Sequence, residues 1–341
     1  MDRVVRRSIA LLTIVPMLLW FTWGRSAVSP QTAETDLTLA ITPQDLPPAD
    51  VLGHYLGPFR MEGAWQFKST NPKVFGYSAL IARPGGRLLA FSDAGAVLSF
   101  TPPGAEAKKP IARWLWPSPE GEGGKAGQDV ESATRDPRTG RYWLGVEGAN
   151  EIVRLSPRLG ETGRIAPKAM AGWGYNTGAE AMTRLPDGRF VAIREVTPSW
   201  SESRMHDGVL FSGDPIEHPN ARKFSFDGPD NFSVVDMAML PDGRALILMR
   251  RLLWPMPLRF AGRIVIVDTA KIRPGTVLRS ATLASLASIL PVDNFEAIAA
   301  VPRADGRITV WVMSDDNKMR VLQRTLLWKL SVDPAKLPWP E

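Results

Sequence analysis

The sequence predicts an all-β protein: a single β-propeller of five blades, or of six, that follows an N-terminal signal or anchor segment. Two observations predict this fold. A hairpin pattern recurs five times along the chain, and the 29 glycines and 30 prolines are scattered rather than concentrated. Such scatter is typical of many short strands joined by tight turns. A chain of 341 residues with 44% hydrophobic composition can also bury a large core.

Each repeat begins with an apolar strand that opens on a polar or acidic residue. A turn of the Pro-Asp-Gly-Arg type follows, and a second apolar strand ends in a charged residue. The five copies span residues 78–93, 131–147, 180–195, 236–250 and 296–315. Their openings lie 53, 49, 56 and 60 residues apart, which is about the length of a four-stranded blade with one longer loop. In the third copy, Pro186 restricts the approach to the turn and Gly188 supplies a positive φ.

The remaining strands of each blade are expected after the hairpins. Third strands are predicted at residues 97–100, 151–155, 208–211, 263–267 and 326–330, and fourth strands at 111–115, 222–226 and 277–283. The chain ends soon after the last third strand, so residues 61–68 are predicted to supply the missing outer strand and close the ring. A β-sandwich, or a six-bladed ring with a degenerate blade within residues 35–75, remains the alternative.

The N-terminus has the layout of a secretory signal. Arg3, Arg6 and Arg7 precede an apolar run over residues 8–23, and Gly24 and several small residues follow it. We therefore expect residues 1–29 to be a signal peptide or an uncleaved membrane anchor, 30–50 a linker, and 51–341 the propeller domain. The protein is expected in the periplasm or secreted, and anchored to the membrane if the segment is not cleaved.

Composition excludes several classes of function. The chain has no cysteine, which rules out disulfides, thiolate metal sites and a cysteine nucleophile. About half of the formal charge of +6 belongs to the N-terminal segment, and no nucleic-acid-binding signature is present, so we expect no nucleic-acid partner. Nucleophile-elbow, zinc-protease and P-loop motifs are absent, and the histidines are His54, His206 and His218. A histidine base serving a serine nucleophile is therefore disfavoured, and His206 is the histidine left open for that role.

Acidic residues are expected to meet at one end of the ring, here called the mouth. In a blade hairpin, the start of the first strand and the end of the second lie at the same end. The strand openings that should meet there are Glu131, Glu180, Asp236 and Glu296, joined by Asp93, Glu147, Glu195, Arg250 and Asp315. So many like charges need a cation, arginine partners or raised pKa values.

Calcium is the natural cation for a cysteine-free ring of carboxylates, and Glu131, Glu180, Asp236 and Glu296 are its predicted ligands. The alternative interpretation is purely structural. Each acidic residue would then accept hydrogen bonds from the backbone of the neighbouring blade, or pair with an arginine such as Arg194, Arg250 or Arg251.

Several segments together resemble a known family. They are residues 76–80 with 91–93, Asp129-Val-Glu-Ser-Ala, Gly178-Ala-Glu-Ala-Met, Asn294-Phe-Glu-Ala-Ile, and Ser314-Asp-Asp-Asn followed by residues 323–327. Over residues 75–332 the sequence resembles the phytase-like domain, described as esterase-like activity of phytase, of exported proteobacterial proteins. The resemblance implies a propeller that hydrolyses phosphate or other esters, and calcium binding as in the related phytases. Ala297 and Arg250 depart from the family pattern.

The leading hypothesis is an exported ester hydrolase, with phosphate monoesters ahead of carboxylic esters, acting on a small ester that can be anionic. In this scheme the mouth carboxylates hold calcium, Asp315 or Asp316 is the base, and Arg250 or Arg251 holds the anionic group. A non-catalytic binding propeller of the cell envelope and a sugar-lactone hydrolase are the alternatives.

Overall fold

The computed structural model describes residues 37–116, 128–174, 177–195, 204–253, 259–319 and 321–340. The predicted signal or anchor segment lies outside these residues. The described strands form five sheets, three with four strands and two with five. This confirms the prediction of an all-β, five-bladed propeller, and the six-bladed and sandwich alternatives are excluded.

The strands follow the chain in blade order. Strand β1 (Ala40–Pro43), helix α1 (Ala49–Leu56) and strand β2 (Arg60–Lys68) come first. Blade 1 contains β3 (Tyr77–Ala82), β4 (Leu88–Ser92), β5 (Ala96–Phe100) and β6 (Ile111–Trp114). Blade 2 contains β7 (Val130–Arg135), β8 (Tyr142–Val146), β9 (Glu151–Leu155) and β10 (Glu161–Ile165). Blade 3 begins with β11 (Ala179–Arg184), β12 (Phe190–Arg194), β13 (Met205–Phe211) and β14 (Arg222–Asp227).

The last two blades carry the longest strands. Blade 4 contains β15 (Ser233–Met239), β16 (Arg244–Leu253) and β17 (Arg259–Asp268). Strand β18 (Val277–Arg279) then crosses to pair in parallel with β14 at the edge of blade 3, and β19 (Ala281–Leu286) completes blade 4. The prediction of a single fourth strand over residues 277–283 was therefore wrong, because two strands of different blades share this range. Blade 5 contains β20 (Asn294–Pro302), β21 (Ile308–Asp315) and β22 (Thr325–Val332).

The two N-terminal strands complete blade 5. Strand β2 pairs antiparallel with β22, with Phe67 opposite Thr325, and β1 adds an outer fifth strand. The prediction that residues 61–68 close the ring is confirmed. Residues 40–68, where a sixth blade remained an alternative, instead supply the outer strands of blade 5 and the helix α1. Pairing the two ends of the chain removes the open edge that an incomplete ring would expose.

The innermost strands β3, β7, β11, β15 and β20 contact one another in sequence around the axis. Apolar side chains pack between adjacent blades, as Leu248 and Ile264 of blade 4 do against Val310 and Trp328 of blade 5. The fully buried Trp328 donates its indole N–H to the carbonyl of Pro291, at 3.1 Å. The core is thus a series of sheet-to-sheet interfaces around the axis, and it holds the mouth ends of the inner strands in place.

The Pro-Asp-Gly-Arg turns lie at the end of the ring opposite the mouth. In blade 3, the Asp187 carboxylate accepts hydrogen bonds from the backbone N of Arg189 at 3.1 Å and from its Nε at 2.7 Å. Gly188 has a φ of 92°, a region that side chains disfavour. This chemistry explains why the same four residue types recur along the chain.

Within the described part of the chain, no helix has both the length and the apolar character needed to cross a membrane.

Candidate functional site: the acidic mouth

A β-bulge interrupts every inner strand at its mouth end. The register skips one residue in each innermost pair, and the skipped residues are Ser78, Glu131, Glu180, Val235 and Glu296. A bulge re-aims its side chain relative to the regular alternation of a strand. The charges of Glu180 and Glu296 raise the pKa of Glu131, and the charge of Glu296 also raises that of Glu180. The structure therefore brings Glu131, Glu180 and Glu296 together, as predicted.

Asp236 differs from the other three strand openings. Val235 occupies the bulge of blade 4, so Asp236 falls one position further along the strand. Its Oδ1 accepts a hydrogen bond from the backbone N of Met237 at 2.8 Å, and its Oδ2 accepts one from Ile298 of blade 5 at 2.7 Å. Burial raises the pKa of Asp236 well above its usual value. Both oxygens are thus engaged with backbone, and the geometry favours a structural role for Asp236 over the predicted ligand role.

Ser132 plays a comparable structural part between blades 2 and 3. It occupies the position that matches Asp236 in the strand register, one residue after the bulge. Its hydroxyl donates to the carbonyl of Ala179 on the next inner strand. Asp236 and Ser132 therefore tie neighbouring blades together, as does Ser78 at the bulge of blade 1, whose hydroxyl donates to the carbonyl of Val130, whereas the bulge glutamates supply the mouth.

The glutamates form part of a larger acidic network. Burial raises the pKa of Glu131 well above its usual value, and the nearby charges of Glu180 and Asp129 raise it further. Burial also raises the pKa of Glu180, and the charges of Glu195 and Glu147 raise it further. Burial likewise raises the pKa of Glu147 to about 7, although the backbone N–H of Gly178 donates to its Oε1 at 3.1 Å and opposes the shift. Carboxylates crowded in this way favour a bound cation or bound protons.

Arg250 supplies the positive charge of the network. From β16 its Nη1 donates to Glu296 Oε1 at 2.5 Å and to Asn294 Oδ1 at 2.7 Å, and its Nη2 donates to Glu195 Oε1 at 3.3 Å. Burial disfavours the charged guanidinium, but the surrounding carboxylates outweigh burial and raise the pKa of Arg250. Since its donors are already engaged by blades 3 and 5, Arg250 fits the arginine-partner alternative better than an anion clamp.

A compact set of three carboxylates lies beside this ion pair. Asp129, Glu131 and Glu147 each offer one oxygen, and these oxygens all lie within 4.8 Å of one another. Three half-buried carboxylate oxygens so close together are a donor set that suits a hard cation such as calcium. We call Asp129, Glu131 and Glu147 the carboxylate triad. Only Glu131 is shared with the predicted set of ligands.

Asp129 and Glu147 were not among the predicted ligands, although their placement beside Glu131 has a simple origin. Asp129 stands two residues before Glu131, immediately before β7, and Glu147 directly follows β8. The backbone N of Glu147 donates to the carbonyl of Asp129 at 2.8 Å, which extends the pairing of the two strands. This pairing could have been inferred by extending the hairpin register by one residue beyond each strand.

The proposed base residues Asp315 and Asp316 lie on different sides of one strand end. The pKa of Asp315 is raised well above its usual value, first by burial and then by the charges of Glu296 and Asp93. Asp315 therefore belongs to the acidic network. Asp316, by contrast, lines a separate cavity of about 500 Å³ between β1, β2 and the loop after β21. Successive residues point to opposite faces of an extended chain, which accounts for the separation.

Two other predicted positions lie away from the network. Arg251 is exposed and forms no salt bridge with any residue the structure describes. Burial lowers the pKa of Arg263, and the nearby charge of Arg251 lowers it further. His206 belongs to the core of blade 3. Only 1% of it is exposed, its Nδ1 lies 3.2 Å from the Arg194 carbonyl, and burial lowers its pKa to about 4. Neutral His206 is therefore not placed to act as a base at the mouth.

The fold and site define a five-bladed propeller with an acidic mouth balanced in part by a partly buried arginine. The family model described as "Phytase-like: Esterase-like activity of phytase" matches residues 72–318. The chain belongs to this phytase-like family, which confirms the resemblance inferred from the sequence. No curated protein matches the chain.

Solved structures with a similar fold come from proteins with varied roles. Myxococcus xanthus glutaminyl cyclase is 13% identical, with a TM-score of 0.44 over 80% of this chain and 97% of that one. A luciferin-regenerating enzyme is 12% identical, with a TM-score of 0.42 over 78% and 80% of the two chains. The WD40 domain of Neurospora crassa Pan2 is 11% identical, with a TM-score of 0.39 over 83% and 98%. Likenesses this distant carry no argument about function.

Proposed function

We propose that this protein is an exported ester hydrolase whose mouth carboxylates bind calcium, with phosphate monoesters preferred to carboxylic esters. The observation that carries the proposal is the carboxylate triad, whose oxygens lie within 4.8 Å of one another inside a larger acidic network. Membership of the phytase-like family supports hydrolysis of an ester. The charged and apolar pattern of residues 1–29 supports export, which fractionation of the native host would test: recovery from the cytoplasm would contradict it.

The residues of the triad would hold the ion through one oxygen each. Calcium bound there would polarise the ester oxygen and lower the pKa of a bound water. Glu180 and Glu296 lie close enough to the triad's Glu131 to raise its pKa, so they add to the negative potential that attracts a cation. Arg250 keeps Glu195 and Glu296 paired and thereby limits the charge that the ion must balance.

Asp315 is the better placed of the two proposed bases. Its carboxyl group belongs to the acidic network, and its raised pKa lets it accept or give up a proton nearer neutral pH than an exposed aspartate does. Arg251, the other proposed anion clamp, lies outside the acidic network. It extends from the same strand as Arg250, is exposed, and forms no salt bridge within the described ranges of the chain.

One set of contacts favours a second candidate function, a non-catalytic binding propeller. The hydrogen bonds of Asp236 and the ion pairs of Arg250 show that part of the acidic mouth stabilises the fold. One assay distinguishes the ester hydrolase from the binding propeller. Hydrolysis of p-nitrophenyl phosphate and p-nitrophenyl acetate by the purified full chain should require calcium and stop on chelation. If neither ester is cleaved with calcium present, the hydrolase proposal fails and the binding propeller replaces it.

The acidic network also predicts how stability depends on pH when calcium is removed. Because the pKa values of Glu131, Glu147 and Glu180 are higher in the folded state, the folded protein holds more protons than the unfolded chain between pH 5 and 8. Raising the pH through this window should therefore lower the melting temperature in chelator, and calcium should restore most of the loss at pH 8. Thermal unfolding at several pH values measures both effects.

Glu147→Gln provides the direct check on this pH dependence, since burial and its neighbours raise the pKa of Glu147 to about 7. The variant should flatten the fall in melting temperature between pH 6 and 8. Glu106→Gln is the matched control, because Glu106 is exposed in the β5–β6 loop at the other end of the ring. Equal slopes in wild type, Glu147→Gln and Glu106→Gln would contradict the interpretation.

A further inference from the structure

The cavity beside Asp316 lies at the mouth end of the ring, between the N-terminal strands and blade 5. Its volume of about 500 Å³ falls within the roughly 300–1,000 Å³ of ordinary ligand pockets. Ala40, Phe67 and Val74 supply apolar surface, while Lys68, Asp316 and Arg324 supply charge. The cavity therefore combines an apolar interior with charged groups, which suits an amphiphilic ligand.

The two walls of the cavity are held by hydrogen bonds before any ligand arrives. On the N-terminal side, Ser69 Oγ donates to the Thr38 carbonyl at 2.7 Å, and the backbone N of Val74 donates to the Asn71 carbonyl at 3.1 Å. On the opposite side, Asn317 Nδ2 donates to Gln323 Oε1 at 2.9 Å. A preformed pocket loses little conformational entropy on binding, so these contacts favour a ligand site.

The cavity and the acidic network share one strand end. Asp315 is part of the acidic network, while the next residue, Asp316, lines the cavity. Consecutive residues of an extended strand are about 3.3 Å apart along the chain, so a molecule in the cavity lies beside the mouth. Asp316, Gln323 and Thr325 also belong to the sequence segments singled out around Ser314 and Leu327. These segments therefore line the cavity and contribute no residue to the carboxylate triad.

The charges of the lining indicate the chemistry of the ligand. The cavity is lined by two cationic residues, Lys68 and Arg324, and by one acidic residue, Asp316. Arg324 already donates its Nε to Asp293 Oδ2 at 3.2 Å, whereas Lys68 is exposed and forms no salt bridge among the residues described. A cation at the edge of an apolar pocket attracts an anionic group attached to a hydrocarbon body.

From this geometry we propose that the cavity binds the apolar chain of an amphiphilic anionic substrate, with Lys68 contacting its anionic head group. This inference rests on the proposed function in one respect only, namely that the bound molecule is the ester that the mouth hydrolyses. Binding itself is independent of hydrolysis. Phosphate and carboxylate head groups share the required charge, and the experiment separates them.

The test measures binding of octyl phosphate and octanoate to the full chain in chelator, by calorimetry and by the shift in melting temperature. Saturable binding is expected for an octyl anion, whereas inorganic phosphate and the uncharged octyl glucoside should bind at least about tenfold more weakly. The tighter of the two anions identifies the head group. Failure of both octyl anions to bind overturns the proposal.

Two variants test whether binding occurs in this cavity. Ala40→Trp places a large ring in the space from an exposed position on β1, and it should weaken octyl phosphate binding by more than about tenfold. Lys68→Glu reverses the charge at the edge and should have a similar effect, without filling the space. Lys108→Glu, an exposed lysine in the β5–β6 loop at the opposite end, is the matched control and should bind as the wild type does.

The outcomes separate this inference from the proposed function. Binding that both cavity variants weaken, in a protein that cleaves no ester, supports the cavity and refutes the hydrolase. Cleavage of octyl phosphate with a KM that Ala40→Trp and Lys68→Glu leave unchanged does the reverse. Should Ala40→Trp fail to fold, Lys68→Glu still decides, since unchanged binding in that variant overturns the proposal.

Discussion

Replacing Glu131 with glutamine is expected to remove the calcium response and to lower ester hydrolysis by at least about 100-fold. Glu131 is the residue that the carboxylate triad shares with the cluster of bulge glutamates. The amide keeps the size of the side chain but removes the negative charge that the cation needs. In the wild type, calcium at about 100 times its Kd should stabilise the fold by about 2.7 kcal/mol, because it binds only the folded state.

The measurement combines thermal unfolding, with and without calcium, and assays of both ester classes. Glu106→Gln should retain the calcium shift and the activity of the wild type, since this exposed side chain lies at the opposite end of the ring. Asp236→Asn should lower the melting temperature yet retain the calcium shift, because the Asp236 oxygens bind backbone amides. A calcium shift that survives in Glu131→Gln and disappears in Asp236→Asn would reverse the assignment.

Replacing Arg250 with methionine is expected to destabilise the fold by about 3–5 kcal/mol, because it leaves buried carboxylates without their partner. The guanidinium joins Glu296 and Asn294 of blade 5 to Glu195 of blade 3. Glu296 is 7% exposed, so water can do little to replace the lost contact. The loss should be larger at pH 8 than at pH 5, since burial raises the pKa of Glu296 and protonation in acid relieves its unpaired charge. Urea unfolding at the two pH values measures both quantities.

Arg251→Met is the matched stability control for this prediction. Arg251 is the next residue of the same strand, is exposed, and has no salt-bridge partner within the described part of the chain. Its replacement should change the free energy of unfolding by no more than about 0.5 kcal/mol. Similar losses in the two variants would show that the ion pairs of Arg250 add no stability of their own. Recovery of Arg250→Met by high calcium would indicate that a cation can replace the guanidinium.

The sequence alone was sufficient to predict the propeller and the end of the ring where acidic residues meet. Turn chemistry and strand alternation are local properties, so the repeated Pro-Asp-Gly-Arg turns place Glu131, Glu180 and Glu296 at one end without knowledge of the packing. The ring-closing strand was also predictable, because the last blade lacked an outer strand that residues 61–68 could provide. The family resemblance depended on the same local segments.

The composition of the site was decided by tertiary structure. One residue fewer between acid and turn in the fourth repeat puts Val235 at the bulge and directs Asp236 to the backbone of blade 5. The triad depends on Asp129 and Glu147 meeting just beyond a strand pair, and the partners of Arg250 come from two other blades. These contacts join residues up to 62 positions apart. A local repeat predicts which residues reach the mouth, but bulge register and blade packing determine which of their oxygens share a cation, an arginine or a backbone amide.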